Sequence, residues 1–281
     1  MPSSARITVY LFFLTIVATS VFVSFKKHTS EQAAPPISLP QTVTPTPTPI
    51  DIYSPPIIAT ASSYTIIFVG DSMTEALGDN FDQLRKFLSP LYPGKEFGIF
   101  NYGYGSTSIL SLERRLTQST EYQGKTNQAI LDRYFDVLII ESMGNNPLSE
   151  YPLDQGLSIQ TQTLERLVAL TAFSRPHSII IFLSTIAPYQ SLFGLGAVDL
   201  SPNQRNQWAN ERRSYIENHI NFAKRHHFPL INVYEKSLDA QGKAVTKYFD
   251  SSNYIHPSKL GVELISREIA DYLYHNQILP N

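Results

Sequence analysis

Cysteine is absent from all 281 residues, which removes disulfides, thiolate nucleophiles and cysteine-held zinc together. An excess of positive charge is missing too. The 22 Lys and Arg stand against 24 Asp and Glu, a formal charge of -2, so there is no basic field to draw in DNA or RNA. No internal repeat is visible, and only one long apolar run occurs, near the amino terminus. What is abundant is core-forming: 42% hydrophobic residues, with 16 Phe and 16 Tyr, are ample for one large domain.

The apolar run extends from Ile7 to Phe25 without a charged residue. As a helix it would rise roughly 28 Å, close to the ~30 Å hydrocarbon core of a bilayer. A cleavable signal peptide is the rival reading, but the run continues into Lys26-Lys27-His28 without a small-x-small cleavage site, so residues 1–28 read as an uncleaved anchor. Arg6 flanks one end and Lys26 with Lys27 the other, so flanking charge does not orient it. Residues 29–60 are rich in proline and threonine, including Thr44-Pro-Thr-Pro-Thr-Pro-Ile50, a composition that favours extended polyproline II and cannot build a core. They read as a stalk, which at about 3.1 Å per residue could reach up to roughly 90 Å between Lys26 and Pro56. Such a stalk is more at home on a cell surface than facing cytosol, which places the domain at 61–281 outside the cytoplasm, held by a single-pass anchor.

From Tyr64 onward short apolar runs alternate with longer amphipathic ones, the pattern of a parallel sheet covered by helices. Five strands are expected: Tyr64–Val69, Phe97–Asn101, Asp136–Glu141, Ser178–Ser184 and Pro229–Val233. Helices are expected over 75–88, 106–117, 157–171, 204–225 and 257–274, with Pro257 at the first helical position of the last. In that helix Leu260, Leu264, Ile265, Ile269 and Leu273 mark one apolar face.

Loops that follow parallel strands all emerge on the carboxyl edge of the sheet, and four of them carry chemistry-bearing residues. Gly70-Asp71-Ser72 closes the first strand, where Asp and Ser would serve equally as helix N-caps. Asn101-Tyr102-Gly103-Tyr104-Gly105 is a glycine turn able to present backbone N–H groups to an anion. It is not a dinucleotide fingerprint, because Ser108 holds the third glycine position and the turn is the second, not the first. Gly144-Asn145-Asn146 follows the third strand and offers a side-chain amide, although turn chemistry alone would explain it. A metallophosphoesterase would want a histidine after such a turn and an earlier Asp-x-His, and both are missing. Last comes Asn253-Tyr254-Ile255-His256-Pro257, whose histidine lies between an apolar residue and a helix-starting proline, unlike the other six in the chain.

In this order and at these places relative to strands, the four segments resemble the SGNH (GDSL-like) hydrolase family over roughly residues 64–274. The resemblance implies a flavodoxin-like three-layer α/β sandwich with a five-stranded parallel sheet. It implies Ser72 as nucleophile and His256 as general base, with an oxyanion hole from the Ser72 and Gly103 backbone N–H groups and the Asn146 side chain. Acyl transfer through an acyl-enzyme would need no metal and no cofactor. One departure matters: where the family usually has Asp three residues before the histidine, this chain has Asn253. The imidazole is then oriented by Asn253 or a backbone carbonyl, by Asp250, or by neither, leaving a Ser-His dyad. The expected activity is hydrolysis of an ester, foremost O-acetyl groups on an envelope or extracellular glycan, with an acylated carbohydrate or other small ester as partner. Transfer of the acyl group to a sugar hydroxyl, and a glycan-binding module on a decayed enzyme fold, are the alternatives. The loop Ala187–Gly196 is either placed to form a pocket wall or lid or is simply a long surface loop.

Overall fold

The computed structural model describes residues 48–281, so the anchor expected at 1–28 and the expected linker up to residue 47 lie outside the described residues. Within them no helix is long and apolar enough to cross a membrane. The chain runs through β1 (Ser63–Gly70), α1 (Ser72–Glu75), α2 (Asp82–Leu91), β2 (Glu96–Gly103), α3 (Leu112–Thr117), β3 (Thr120–Tyr122), β4 (Lys125–Asn127) and β5 (Val137–Glu141). It continues through α4 (Leu153–Ser174), β6 (Ile179–Ser184), α5 (Pro202–Arg225), β7 (Leu230–Asn232), α6 (Val233–Lys236) and α7 (Lys259–His275).

Five strands pair in parallel in the order β2-β1-β5-β6-β7. Helices cover both faces, which is why the central strands read as continuous apolar runs rather than alternating ones. Successive side chains still point to opposite sides. Ile66 and Phe68 join the layer with Phe81, Leu84, Ile269 and Leu273, while Ile67 and Val69 join Leu164, Leu167 and Phe222.

Four local expectations are corrected. The helix expected over 75–88 is two helices, because Gly78 (φ 83°) and Phe81 (φ 50°) take left-handed backbone between them. The one expected over 106–117 begins only with a 3₁₀ turn at Ile109–Ser111, Ser106 being left-handed at φ 59°. Pro257 lies outside α7, whose N-cap is Ser258, with its hydroxyl accepting from the Gly261 N–H at 3.2 Å. On α7 itself Ile265, Ile269 and Leu273 are buried but Leu260 is exposed. The hairpin β3–β4, turning at Gln123 and Gly124, was not anticipated.

The linker expected over 29–60 does not extend to residue 60. Tyr53 stacks on Phe228 at 4.3 Å, its N–H donates to the His226 carbonyl at 2.8 Å, and its hydroxyl accepts from the Ile180 N–H at 2.9 Å. Ile58 is buried in the core, so this stretch of the linker belongs to the domain.

Candidate active site

Two glycines let the first turn sit directly on the sheet. Gly70 and Gly103 are register partners at the ends of β1 and β2. A Cβ on Gly70 would lie 2.0 Å from Thr74 Oγ1, and one on Gly103 would lie 2.3 Å from the Glu75 backbone nitrogen. Any side chain at either position would push α1 off the strand ends. Asp71 caps that short helix, its Oδ1 accepting from the Met73 N–H at 2.8 Å, and Ser72 becomes its first residue.

His256 comes from the far end of the chain. Its Nε2 lies 3.0 Å from Ser72 Oγ, across a sequence separation of 184 residues. The loop that delivers it is held by Asn253, whose Oδ1 accepts from the N–H groups of Ile255 at 2.8 Å and His256 at 2.9 Å. That is an Asx turn, the backbone role for which Asn serves as well as Asp. The Asn253 amide nitrogen donates to Ser252 Oγ, so this side chain holds the main chain and not the imidazole. Asp250 does not reach the ring either: its Oδ1 accepts from the Ser252 N–H at 2.8 Å. That backbone donor is the first cause holding its carboxyl below the usual value. Among the described residues nothing is hydrogen-bonded to the second ring nitrogen, so serine and histidine stand as a dyad.

On the oxyanion side the expected donors separate. Asn146 Nδ2 donates to Asp71 Oδ2 at 2.8 Å, beside the serine, and its second N–H makes no hydrogen bond among the described residues. The Ser72 N–H likewise makes no hydrogen bond among the described residues. Gly103 is different: its N–H donates to Asn101 Oδ1 at 2.8 Å, inside its own turn. Gly105 also approaches the serine: an added Cβ there would come 3.7 Å from Ser72 Cβ. Its N–H donates to the Tyr122 hydroxyl at 2.8 Å, and that hydroxyl donates to Glu75 Oε2 at 3.0 Å, so the unanticipated hairpin buttresses this turn.

Two further groups escaped the sequence reading. Arg115 of α3 is 1% exposed and donates to the carbonyls of Gly70 at 2.6 Å and Tyr102 at 2.8 Å, and to the hydroxyls of Thr107 and Ser111. It also stacks over Tyr104 at 4.3 Å. Burial without a carboxylate partner lowers its pKa to about 10. It ties the ends of β1 and β2 to the glycine turn. The signal was its spacing, since Leu112, Arg115 and Leu116 share the buried face of a helix. Beneath Asp71 lies Glu141, equally buried, the last residue of an otherwise apolar strand. Desolvation raises both carboxyls, Glu141 well above its ordinary value, with repulsion from Asp71 adding to the rise.

The loop Ala187–Gly196 walls a cleft of about 310 Å³ through Pro188, Tyr189, Gln190 and Ser191. Tyr189 packs on Phe249 and on Tyr254, two residues before His256, at 5.8 and 6.3 Å. Among the described residues no group of three or more His, Asp and Glu is placed to hold a metal ion.

No family model matches the chain and no curated protein matches it. Solved structures do. A protein described as a GDSL-like lipase from Parabacteroides merdae is 17% identical, with 80% of this chain and 100% of that one covered and a TM-score of 0.55. A catalytic mutant of an acetylxylan esterase from Geobacillus stearothermophilus is 16% identical, covering 77% and 95%, at a TM-score of 0.51. A protein described as lipolytic, of the G-D-S-L family, from Desulfitobacterium hafniense is 19% identical, covering 75% and 99%, at 0.50. At such identities the likeness shows the fold, an α/β fold with a five-stranded parallel sheet shared with GDSL-like proteins.

Proposed function

We propose that this chain is a serine esterase of the SGNH type. The observation that carries the reading is the 3.0 Å approach of Ser72 Oγ to His256 Nε2 on the carboxyl edge of the sheet. In that geometry the imidazole takes the hydroxyl proton as Oγ attacks an ester carbonyl. The Ser72 N–H and the free N–H of Asn146 receive the developing oxyanion. His256 then protonates the leaving alcohol, and water, activated by the same nitrogen, releases the acid from Ser72. The proton is handed back and forth by one residue, and no step calls on another group.

The favoured substrate is an O-acetylated glycan of the envelope or extracellular space. What supports it is the acetylxylan esterase among the proteins sharing the fold. The apolar run at 7–25 and the Pro/Thr-rich stretch after it support a domain carried on a membrane anchor, outside the cytoplasm. The decayed-module reading is disfavoured by the hydrogen-bonded serine and histidine, which a module without chemistry has no need to keep together.

The test is hydrolysis of p-nitrophenyl acetate by the chain and by Ser72→Ala and His256→Ala. Loss of at least about 10³-fold in kcat/KM is expected for either variant. Wild-type turnover that survives Ser72→Ala would end the reading. Release of free acetate in the presence of an oligosaccharide acceptor, with none transferred, distinguishes hydrolysis from transfer.

A further inference from the structure

Glu141 is 2% exposed, makes no ion pair among the described residues, and touches the carboxyl of Asp71, itself fully buried. Two carboxylates in contact without a cation between them cannot both be ionised, so the pair holds one proton. The hydrogen bonds say which member keeps it. Asp71 accepts from two N–H groups, Met73 N at 2.8 Å and Asn146 Nδ2 at 2.8 Å, as a carboxylate does. Glu141 Oε1 accepts from the Ser142 hydroxyl at 2.6 Å, while Oε2, on the Asp71 side, meets the Asp71 N–H only at 3.5 Å, the limit of a hydrogen bond, and is the oxygen left to carry the proton. Arg115 adds a positive charge that acts on Asp71, again favouring its anion. His219 of α5, on the adjoining part of the sheet, is neutral, and His256 faces Ser72.

We propose that Glu141 is a positioning residue for the oxyanion hole: as a neutral acid it donates to the Asp71 carboxylate, fixing the Asn146 amide so that one N–H stays free for the substrate. An amide can turn over and present its oxygen instead, and an oxygen facing a developing oxyanion would repel it. Asp71, held as an acceptor, forbids that orientation. Glu141 in turn makes a lone buried carboxylate at Asp71 tolerable, by giving it a third donor.

This rests on the serine-esterase reading, and the experiment separates the two. Steady-state hydrolysis of p-nitrophenyl acetate is followed from pH 5 to 10 for the wild-type chain, Glu141→Gln and Glu141→Leu. Glu141→Leu is expected to lose on the order of 10²-fold in kcat, the scale of removing one oxyanion donor, with KM within about threefold. Glu141→Gln, whose amide can donate to Asp71 without a titrating proton, is expected to recover kcat to within about tenfold of wild type. The wild-type kcat should fall on the alkaline side as the shared proton is lost, and that limb should be missing in Glu141→Gln. Equal kcat in the two variants, or an alkaline limb unchanged in Glu141→Gln, overturns the proposal. If Glu141→Leu fails to fold, the Glu141→Gln profile alone decides. An inactive wild-type chain, or activity indifferent to Ser72→Ala, overturns the esterase reading and this one with it. Serine-dependent activity with no difference between the Glu141 variants overturns this one alone.

Discussion

At Asn253 a single atom of difference separates two jobs. An aspartate three residues before the histidine could cap the loop and also bring negative charge toward the ring. The asparagine keeps the first job, with two N–H groups at 2.8 and 2.9 Å on its Oδ1, and gives up the second. Loop geometry is therefore what this side chain would contribute to the proposed hydrolysis. Asn253→Ala should lower kcat about 10- to 100-fold through a misplaced imidazole, with KM little changed. Stability should fall by about 1–2 kcal/mol for the two lost hydrogen bonds. Asp250→Ala should leave kcat within about threefold, since its carboxylate serves the Ser252 N–H on the loop surface. Parallel kinetics on p-nitrophenyl acetate check both; a fall for Asp250→Ala as large as for Asn253→Ala would give that carboxylate a part in the chemistry.

Elements, more than residues, hold the glycine turn in place. Arg115 fastens β1, β2 and the turn after β2 through two carbonyls and two hydroxyls, and the hairpin β3–β4 closes over them by stacking Tyr122 on Tyr104 at 4.3 Å. Replacing Arg115 by Met fills most of the volume but removes the guanidinium donor from the Tyr102 carbonyl and from the Gly70 carbonyl, which keeps only the Tyr104 N–H at 3.1 Å. A loss of about 3 kcal/mol in stability is expected from urea melts. A fall in kcat should outlast the stability loss when assayed well below the midpoint. Arg115→Met with unchanged kcat and only a lowered midpoint would reduce the arginine to a fold-holding role.

The three central strands were legible because each is a run dominated by apolar residues and ended by glycine or polar residues, and such runs mark a sheet buried on both sides. Ser72 and His256 were legible from their places at strand and helix ends. The hairpin was not, because Thr120–Asn127 is short, polar and without alternation, and its value lies in contacts distant in sequence. Helix breaks at Phe81 and Ser106 escaped for a related reason: left-handed backbone at non-glycine residues is imposed by tertiary packing, not local preference. Arg115 looked like part of a charged helical surface, Glu113-Arg114-Arg115, and only burial distinguishes it from its neighbour. Gly103 was expected to serve as a donor, and a side-chain contact from Asn101 two residues earlier was enough to claim its N–H.

Across the whole molecule, buried titratable groups set how stability responds to acid, and they do not all act in one direction. His219 lies in the core between α5 and the sheet, its ring 4.6 Å from Phe182. Neither ring nitrogen reaches a hydrogen-bond partner. The Ile140 and Leu183 backbones stand close enough to offset only part of the desolvation, which lowers its pKa from 6.5 to about 3. The folded state therefore binds fewer protons than the unfolded chain between those values. The neutral ring's stability is fully present above pH 6.5 and is lost as pH falls toward 3, at up to about 1.4 kcal/mol per pH unit. Glu141 runs the other way: its folded pKa is raised above 4.5, so its contribution is present at low pH and lost as pH rises through the folded value. Urea melts between pH 4 and 7 isolate the histidine, because His219→Leu keeps an apolar side chain of similar size in the same layer. The variant should show a stability profile flatter in that window, the gap to wild type widening in its favour as pH falls. Curves that stay parallel from pH 7 to 4 would mean that the wild-type core admits the imidazolium.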